Sequence, residues 1–365
     1  MVAVGLTALG VLLAGCGGGG SHAGPGSAAV RAAEYAVHRN LGSYAGYRGP
    51  ASGPRALHDQ LVVFVAADIT NGGIAGVARG VEQAAHAIGW RVRVLDGRAS
   101  VAGRRVAMRE ALALHPDGII LGGYDAGEQR PALLRARAEH IAVVGWHSYI
   151  RPGPDPKDGL FANISTDPRA VATLAADYVI AHSHGQAKVA IFYDPEFQIS
   201  VEKADVMQAA VRRCRGCRVL TMDRVPISRA QALMPAIIAR MVRRYGKRLT
   251  DLLAINGNYF VGSAAGLFAL GIAGNAPPHA VAAGDGDASE FARIRSGNYQ
   301  TASVAEPLYL QGWQLIDDLN RALRSRPPAT YLPPPRLIIR ANAPAGGVFD
   351  PPTDYRRRYL RIWEG

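Results

Sequence analysis

The sequence predicts an α/β protein built as two doubly wound, parallel-sheet lobes. Three observations predict it. Short apolar runs alternate with helically spaced apolar segments from Leu61 to Ile339, at about 25–35 residues per unit, the rhythm of βαβ units. The strands are too many for one comfortable sheet, and they fall into two halves of similar length. The chain has 365 residues and is 48% apolar, enough for two cores and too apolar for wholesale disorder.

The first element lies ahead of the lobes. Residues 2–13 form an uncharged, mostly apolar run, too short to span a bilayer as a helix and matched to the core of a signal peptide. Leu13-Ala14-Gly15-Cys16 follows at once. It resembles the lipobox of bacterial lipoproteins, which implies a signal peptide over 1–16 and a lipid on Cys16. An exported chain anchored at the cell envelope is the expectation. Residues 17–58 are rich in Gly, Ala, Pro and Ser and read as tether and lead-in, with one helical pattern near Ala28–Asn40.

From Leu61 the pattern changes. Leu61–Ala66 reads as a strand, and Ile74, Val77, Val81, Ala84, Ala85 and Ile88 then step along one helical face. Gly89 closes that helix. Strands are expected at Val92–Leu95, Gly118–Leu121, Ile141–Val144 and Leu160–Ile164, with helices between them. The second series places strands at Val189–Tyr193, Val219–Met222, Leu252–Asn256, Ala280–Ala283 and Ala302–Ala305. A helix over Leu308–Leu323 and a last strand at Leu337–Ile339 complete it, and 346–365 reads as a C-terminal tail.

The net charge of +12 is carried by arginine, since Lys157, Lys188, Lys203 and Lys247 are the chain's lysines. The clusters around Arg212 and Arg243 follow apolar helical patterns, where cations suit a helix C-terminus. They read as solvated faces and not as a nucleic-acid surface. Cys214-Arg215-Gly216-Cys217 admits a disulfide, free thiols or redox work, and an exported setting favours the disulfide. His182 and His184 give it no zinc-ligand spacing, and no metal or cofactor is expected.

In open α/β sheets ligands bind beyond the carboxyl ends of the strands. Asp68 and Asn71 follow the first strand, and Trp146 and His147 the fourth. In the second half Phe197, Asn256, Asp285 and Glu306 stand in such places. Carboxylates, amides and aromatics suit a polyhydroxylated ligand: the polar groups pair with hydroxyls and the rings cover C–H patches.

At this point the chain resembles the type I periplasmic binding proteins of the ribose- and galactose-binding class, over about residues 60–342. The likeness rests on Leu61–Val65 followed by Asp68-Ile69-Thr70-Asn71, on Pro116-Asp117-Gly118-Ile119-Ile120-Leu121, on Asn256-Gly257-Asn258 and on Ala283-Gly284-Asp285-Gly286. It implies ligand contacts at Asp68, Asn71, His147, Asn256, Asp285 and Glu306. Family members usually carry an Asp-Arg pair after the fourth strand, where this chain has Trp146-His147-Ser148. They often place an arginine where this chain has Val201, with Lys203 nearby.

The resemblance implies lobes of 59–163 plus 307–333 and of 164–306 plus 334–345, joined by a multi-crossover hinge. It also implies a monomeric, non-enzymatic receptor that captures a sugar or sugar-like molecule and delivers it to an ABC transporter permease. A binding lipoprotein feeding a membrane sensor or chemoreceptor fits the same residues. A regulator of the same fold would begin with a helix-turn-helix head, and an apolar leader occupies that place. A nicotinamide enzyme would want G-x-G-x-x-G after the first strand, and Asp68-Ile69-Thr70-Asn71-Gly72-Gly73 does not supply it.

Overall fold

A computed structural model describes residues 25–365. The signal peptide and the Cys16 anchor therefore lie outside the described residues. The chain starts with helix α1 (Pro25–Leu41) and then builds one sheet after the other. The first sheet takes β1 (Leu61–Ala66), β2 (Arg91–Asp96), β3 (Gly118–Gly122), β4 (Ala142–Trp146), β5 (Gly153–Asp155) and β6 (Leu160–Ile164). Its helices are α2 (Gly72–Ala87), α3 (Val101–Ala113) and α4 (Arg130–Ala138). The strand order is β2-β1-β3-β4-β6-β5.

The second sheet takes β7 (Lys188–Tyr193), β8 (Arg218–Arg224), β9 (Asp251–Ala254), β10 (His279–Ala282), β11 (Gln300–Ala305) and β12 (Arg336–Ile339). Between them run α5 (Pro168–His182), α6 (Gln198–Arg213), α7 (Ala230–Tyr245), α8 (Asn258–Ala269), α9 (Ala288–Ser296) and α10 (Leu308–Leu323), and the chain ends in α11 (Tyr355–Glu364). The order is β12-β11-β10-β9-β7-β8. Pairing is parallel throughout except for β5 on β6 and β12 on β11. Parallel strands with helices on both faces are buried on both sides. Hence β1 and β3 read as unbroken apolar runs and are buried almost end to end.

Each sheet has its own apolar core. The first joins β1, β3, β4 and β6 to α2, α10 and α11, and the second joins β7, β9 and β10 to α1, α5, α6 and α7. Cys214 and Cys217 sit in the second core and are joined by a disulfide.

Both chain ends run between the lobes. Helix α1 packs on α5 of the second lobe, and Asn40 bonds to Pro335 and Leu337 beside β12. The chain then passes to the first lobe. There Tyr47 packs edge-on against Tyr331 and Tyr359, and the Ser52 carbonyl accepts from Arg321 at 2.9 Å. At the other end the chain leaves β12 and seats Phe349 against Phe291 and Ile338. It then returns to the first lobe as α11. The segment read as a tail thus holds a helix. Tyr355, Tyr359, Ile362 and Trp363 face inward from it, and Trp363 stacks on Trp313 with ring centroids 5.4 Å apart. The two passing segments touch where Tyr44 meets Phe349.

Candidate functional site

The cleft is assembled from loops just past the strand ends. After β1 the chain turns at Asp68, and Asn71 caps α2, its Oδ1 accepting from the Gly73 amide at 2.9 Å. After β4 come Trp146 and His147. The Trp146 indole donates to Gln311 Oε1 at 2.9 Å, and the His147 ring stacks on it with centroids 3.9 Å apart. His147 holds a left-handed backbone, φ 51°, which is uncommon for a non-glycine residue and fixes the ring's direction.

The second lobe answers from the other side with Phe197 before α6, Ser200 and Lys203 on α6, Asn256 after β9 and Asp285 after β10. Asn71, Trp146, His147, Phe197, Asn256 and Asp285 together line one cavity with an empty volume of about 440 Å³. Asp68 lines an adjoining cavity of about 390 Å³, with Arg104, Asp194 and Glu196. Glu306 is fully buried beneath the first cavity and does not line it.

Glu306 is the electrostatic centre of the site. One carboxylate oxygen accepts from Lys203 Nζ at 3.2 Å. The other lies 3.1 Å from His147 Nε2 and accepts from Gln311 Nε2 at 3.2 Å. Burial alone would raise its pKa, but the His147 ring and the Lys203 ammonium outweigh that and hold it well below the usual carboxylate range. Asp285 differs. Its carboxylate accepts no hydrogen bond among the described residues, and burial pushes its pKa up to about 6 against the pull of Lys203 and His147.

His147, Asp285 and Glu306 bring one nitrogen and two carboxylates within 4.8 Å of one another, the donor types of a divalent-cation site. Lys203 already sets a positive charge against Glu306 and opposes a second one there.

The two lobes meet across the cleft. A Cβ on Gly73 would stand 2.5 Å from Asp285 Cγ, and one on Gly72 would stand 2.3 Å from Asp287 Oδ2. Bare backbone at the start of α2 therefore lets these carboxylates approach a helix N-terminus, where negative charge is favoured. Beside this contact Arg104 is buried between the lobes. It donates to Glu128 of its own lobe and to Glu196 of the other, and lies over the Tyr124 and Phe197 rings at 5.5 and 5.7 Å. The Gln198 amide donates to Asp125 across the same gap at 3.1 Å.

Sequence reasoning missed Arg104 and gave Lys203 no role. Both sit mid-helix in charged surroundings that look like a solvated face. The signals for Lys203 were its place beside Val201, where the family often has an arginine, and its apolar helical neighbours Ala204, Met207 and Ala210.

Two parallel sheets facing one another, with their strand ends lining a shared cleft, fix the architecture. The sequence profile of the periplasmic binding protein domain matches residues 62–327. This chain belongs to that family.

Solved structures agree with the fold of this periplasmic binding protein. It is similar to an ABC-transporter solute-binding protein from Agrobacterium vitis, bound with α-D-tagatopyranose, at 17% identity and a TM-score of 0.67 over 79% of this chain and 97% of that one. A glucose-galactose binding protein from Geobacillus stearothermophilus gives 18% identity and 0.67 over 79% and 100%. An ABC-transporter solute-binding protein from Bacillus halodurans with bound myo-inositol gives 11% and 0.65 over 78% and 96%. No curated protein matches this chain by sequence. No helix among the described residues is long and apolar enough to cross a membrane.

Proposed function

We propose that this chain is an extracytoplasmic solute-binding protein that captures a small polyhydroxylated ligand, of the sugar class, between its lobes. The observation that carries the reading is the composition of the interlobe cavity. Asn71, Asn256 and Asp285 bring amide and carboxylate groups to it from both lobes, and Phe197 adds an aromatic face. Asn71 and Asn256 each use their side-chain oxygen on a backbone amide of their own loop, which leaves the amide nitrogens for a ligand. Amides and carboxylates pair with hydroxyls, and a site built this way rejects analogues that leave its groups unpaired. Structurally similar proteins that hold tagatopyranose and myo-inositol support the same class.

The closed form is the one a partner would read, because a ligand shifts an open–closed equilibrium only by its differential affinity for the two states. We take the partner to be an ABC importer, the chain to act as a monomer with no reaction of its own, and Cys16 to carry the lipid that keeps it at the membrane.

A thermal-shift panel of sugars, polyols, nucleosides and amino acids on the purified chain tests this. Sugars or polyols are expected to raise the Tm, and Asn256→Ala to remove that rise while the unliganded Tm stays within a few degrees. Stabilisation by amino acids or metal ions alone would contradict the reading.

A further inference from the structure

The chain crosses between the lobes after β6, β11 and α10, and again near each end, in residues 42–60 and 340–354. The two end crossings lie outside the family profile, which spans residues 62–327. Both are anchored on each side. In the second lobe Phe349 is buried with Phe291, Ile294 and Ile338, and Tyr44 packs edge-on against it. In the first lobe Tyr47 and Val348 pack against the core. Val348 lies beside α2, where a Cβ on Gly76 would stand 3.2 Å from its Cγ1. Consecutive residues, Val348 and Phe349, are thus seated in opposite lobes, with Cα atoms only about 3.8 Å apart. Tyr44 and Tyr47 are three residues apart, a span of at most about 11 Å when fully extended. The Tyr44 hydroxyl also donates to the Pro334 carbonyl at 3.0 Å, which ties this crossing to the one between α10 and β12.

We propose that the two end segments form a strap that limits how far the cleft opens. The start of α2 meets Asp285 and Asp287, just ahead of α9, across the cleft. The strap runs beside both helices, with Val348 at α2, and with Phe349 and the bond from Arg295 to the Pro344 carbonyl at α9. Separating the helices pulls Val348 and Phe349 in opposite directions. The chain between them has no length to give, so one side chain must leave its place. Unseating Phe349 returns a large apolar ring to water, and that cost resists opening. Because Tyr44 packs on Phe349, the two segments loosen together. A receptor held near its closed form has less freedom left to lose when a guest binds. The strap acts whatever the guest is, so it stands or falls apart from the sugar reading.

Spin-label distances between Arg105 on α3 and Gln231 on α7, recorded on the full chain with no sugar added, decide it. Two altered chains are compared with the wild type. Phe349→Ala removes the place in the second lobe. The other chain keeps every buried side chain and gains slack, through short Gly-Ser insertions between Ala45 and Gly46 and between Val348 and Phe349. In both, the distribution is expected to broaden and to move to longer distances by more than about 2 Å. Phe268→Ala, which alters a ring that is 77% exposed, is expected to leave the distribution where it is. If Phe349→Ala does not fold, the inserted chain decides alone. An unchanged distribution in the inserted chain would overturn the strap, and so would an equal shift in Phe268→Ala.

Discussion

Two glutamates of the second lobe, Glu306 and Glu290, are equally buried, yet their pKa values are pushed in opposite directions. Glu306 faces the cleft floor with Lys203, His147 and Gln311 around it, and its pKa is held well below the ordinary value. Glu290 sits on α9 behind the Asp285–Asp287 turn, accepting from the Gly286 amide at 3.2 Å and from Gln300 Nε2 at 2.9 Å. Burial, aided by the nearby Asp287 charge, raises its pKa to about 8 in spite of Arg293. Depth alone therefore does not set the charge of a buried acid. Neighbours do: Lys203 and His147 lie within bonding distance of Glu306, whereas the Arg293 charge near Glu290 does not offset its burial.

Removing a partner from the cleft glutamate should give the largest effect. Lys203→Met leaves Glu306 buried with part of its compensation gone, and a loss of about 3–5 kcal/mol is expected from chemical denaturation. Adding Glu306→Gln to that variant should recover most of the loss, since removing both partners of a buried pair costs far less than removing one. A double variant as unstable as the single one would break the comparison.

The remote glutamate should respond to pH instead. Its folded pKa lies above its ordinary value of 4.5, so the folded state keeps a proton that the unfolded chain loses. Its contribution is fully present below about pH 4.5, falls by up to about 1.4 kcal/mol per pH unit above that, and is gone as pH passes about 8. Glu290→Gln, which mimics the protonated form, should flatten that part of the stability–pH curve, matching the wild type below about pH 4.5 and becoming progressively more stable than it toward neutral pH. An unchanged curve would show that Glu290 is ionised when folded. Glu306 has the opposite sign: its contribution is present above 4.5 and is lost as pH falls below it. The stability of the wild type should therefore fall more steeply with acid below pH 4.5 than that of Glu306→Gln, which starts from a lower value near neutral pH.

Much of this architecture can be read from the residues because strands buried on both faces must be apolar along their length. Leu61–Ala66 and Gly118–Leu121 announce themselves in that way. The Gly-Pro-Asp of β5 carries no such pattern, and its pairing with β6 comes from position alone. Helix α11 was hidden by its arginines: Arg356, Arg357, Arg358 and Arg361 mask the inward stripe of Tyr355, Tyr359 and Trp363. At the cleft, residues past strand ends were legible because the topology of parallel sheets puts them there. Arg104 and Lys203 were not, because a charged side chain in a helix reads as solvated until the opposite lobe is known to cover it. Glu306 was legible as a strand-end residue, while its place under the cavity floor depends on α6 and α10 arriving from elsewhere in the chain.

The central claim is that the two lobes close on a small guest in their shared cleft. The distance between spin labels at Arg105 on α3 and Gln231 on α7, recorded with and without a sugar that raises the Tm, tests it most directly. A shorter and narrower distribution with the sugar, absent in Asn256→Ala, is the expected result. One distribution that does not move while the sugar binds would contradict the account.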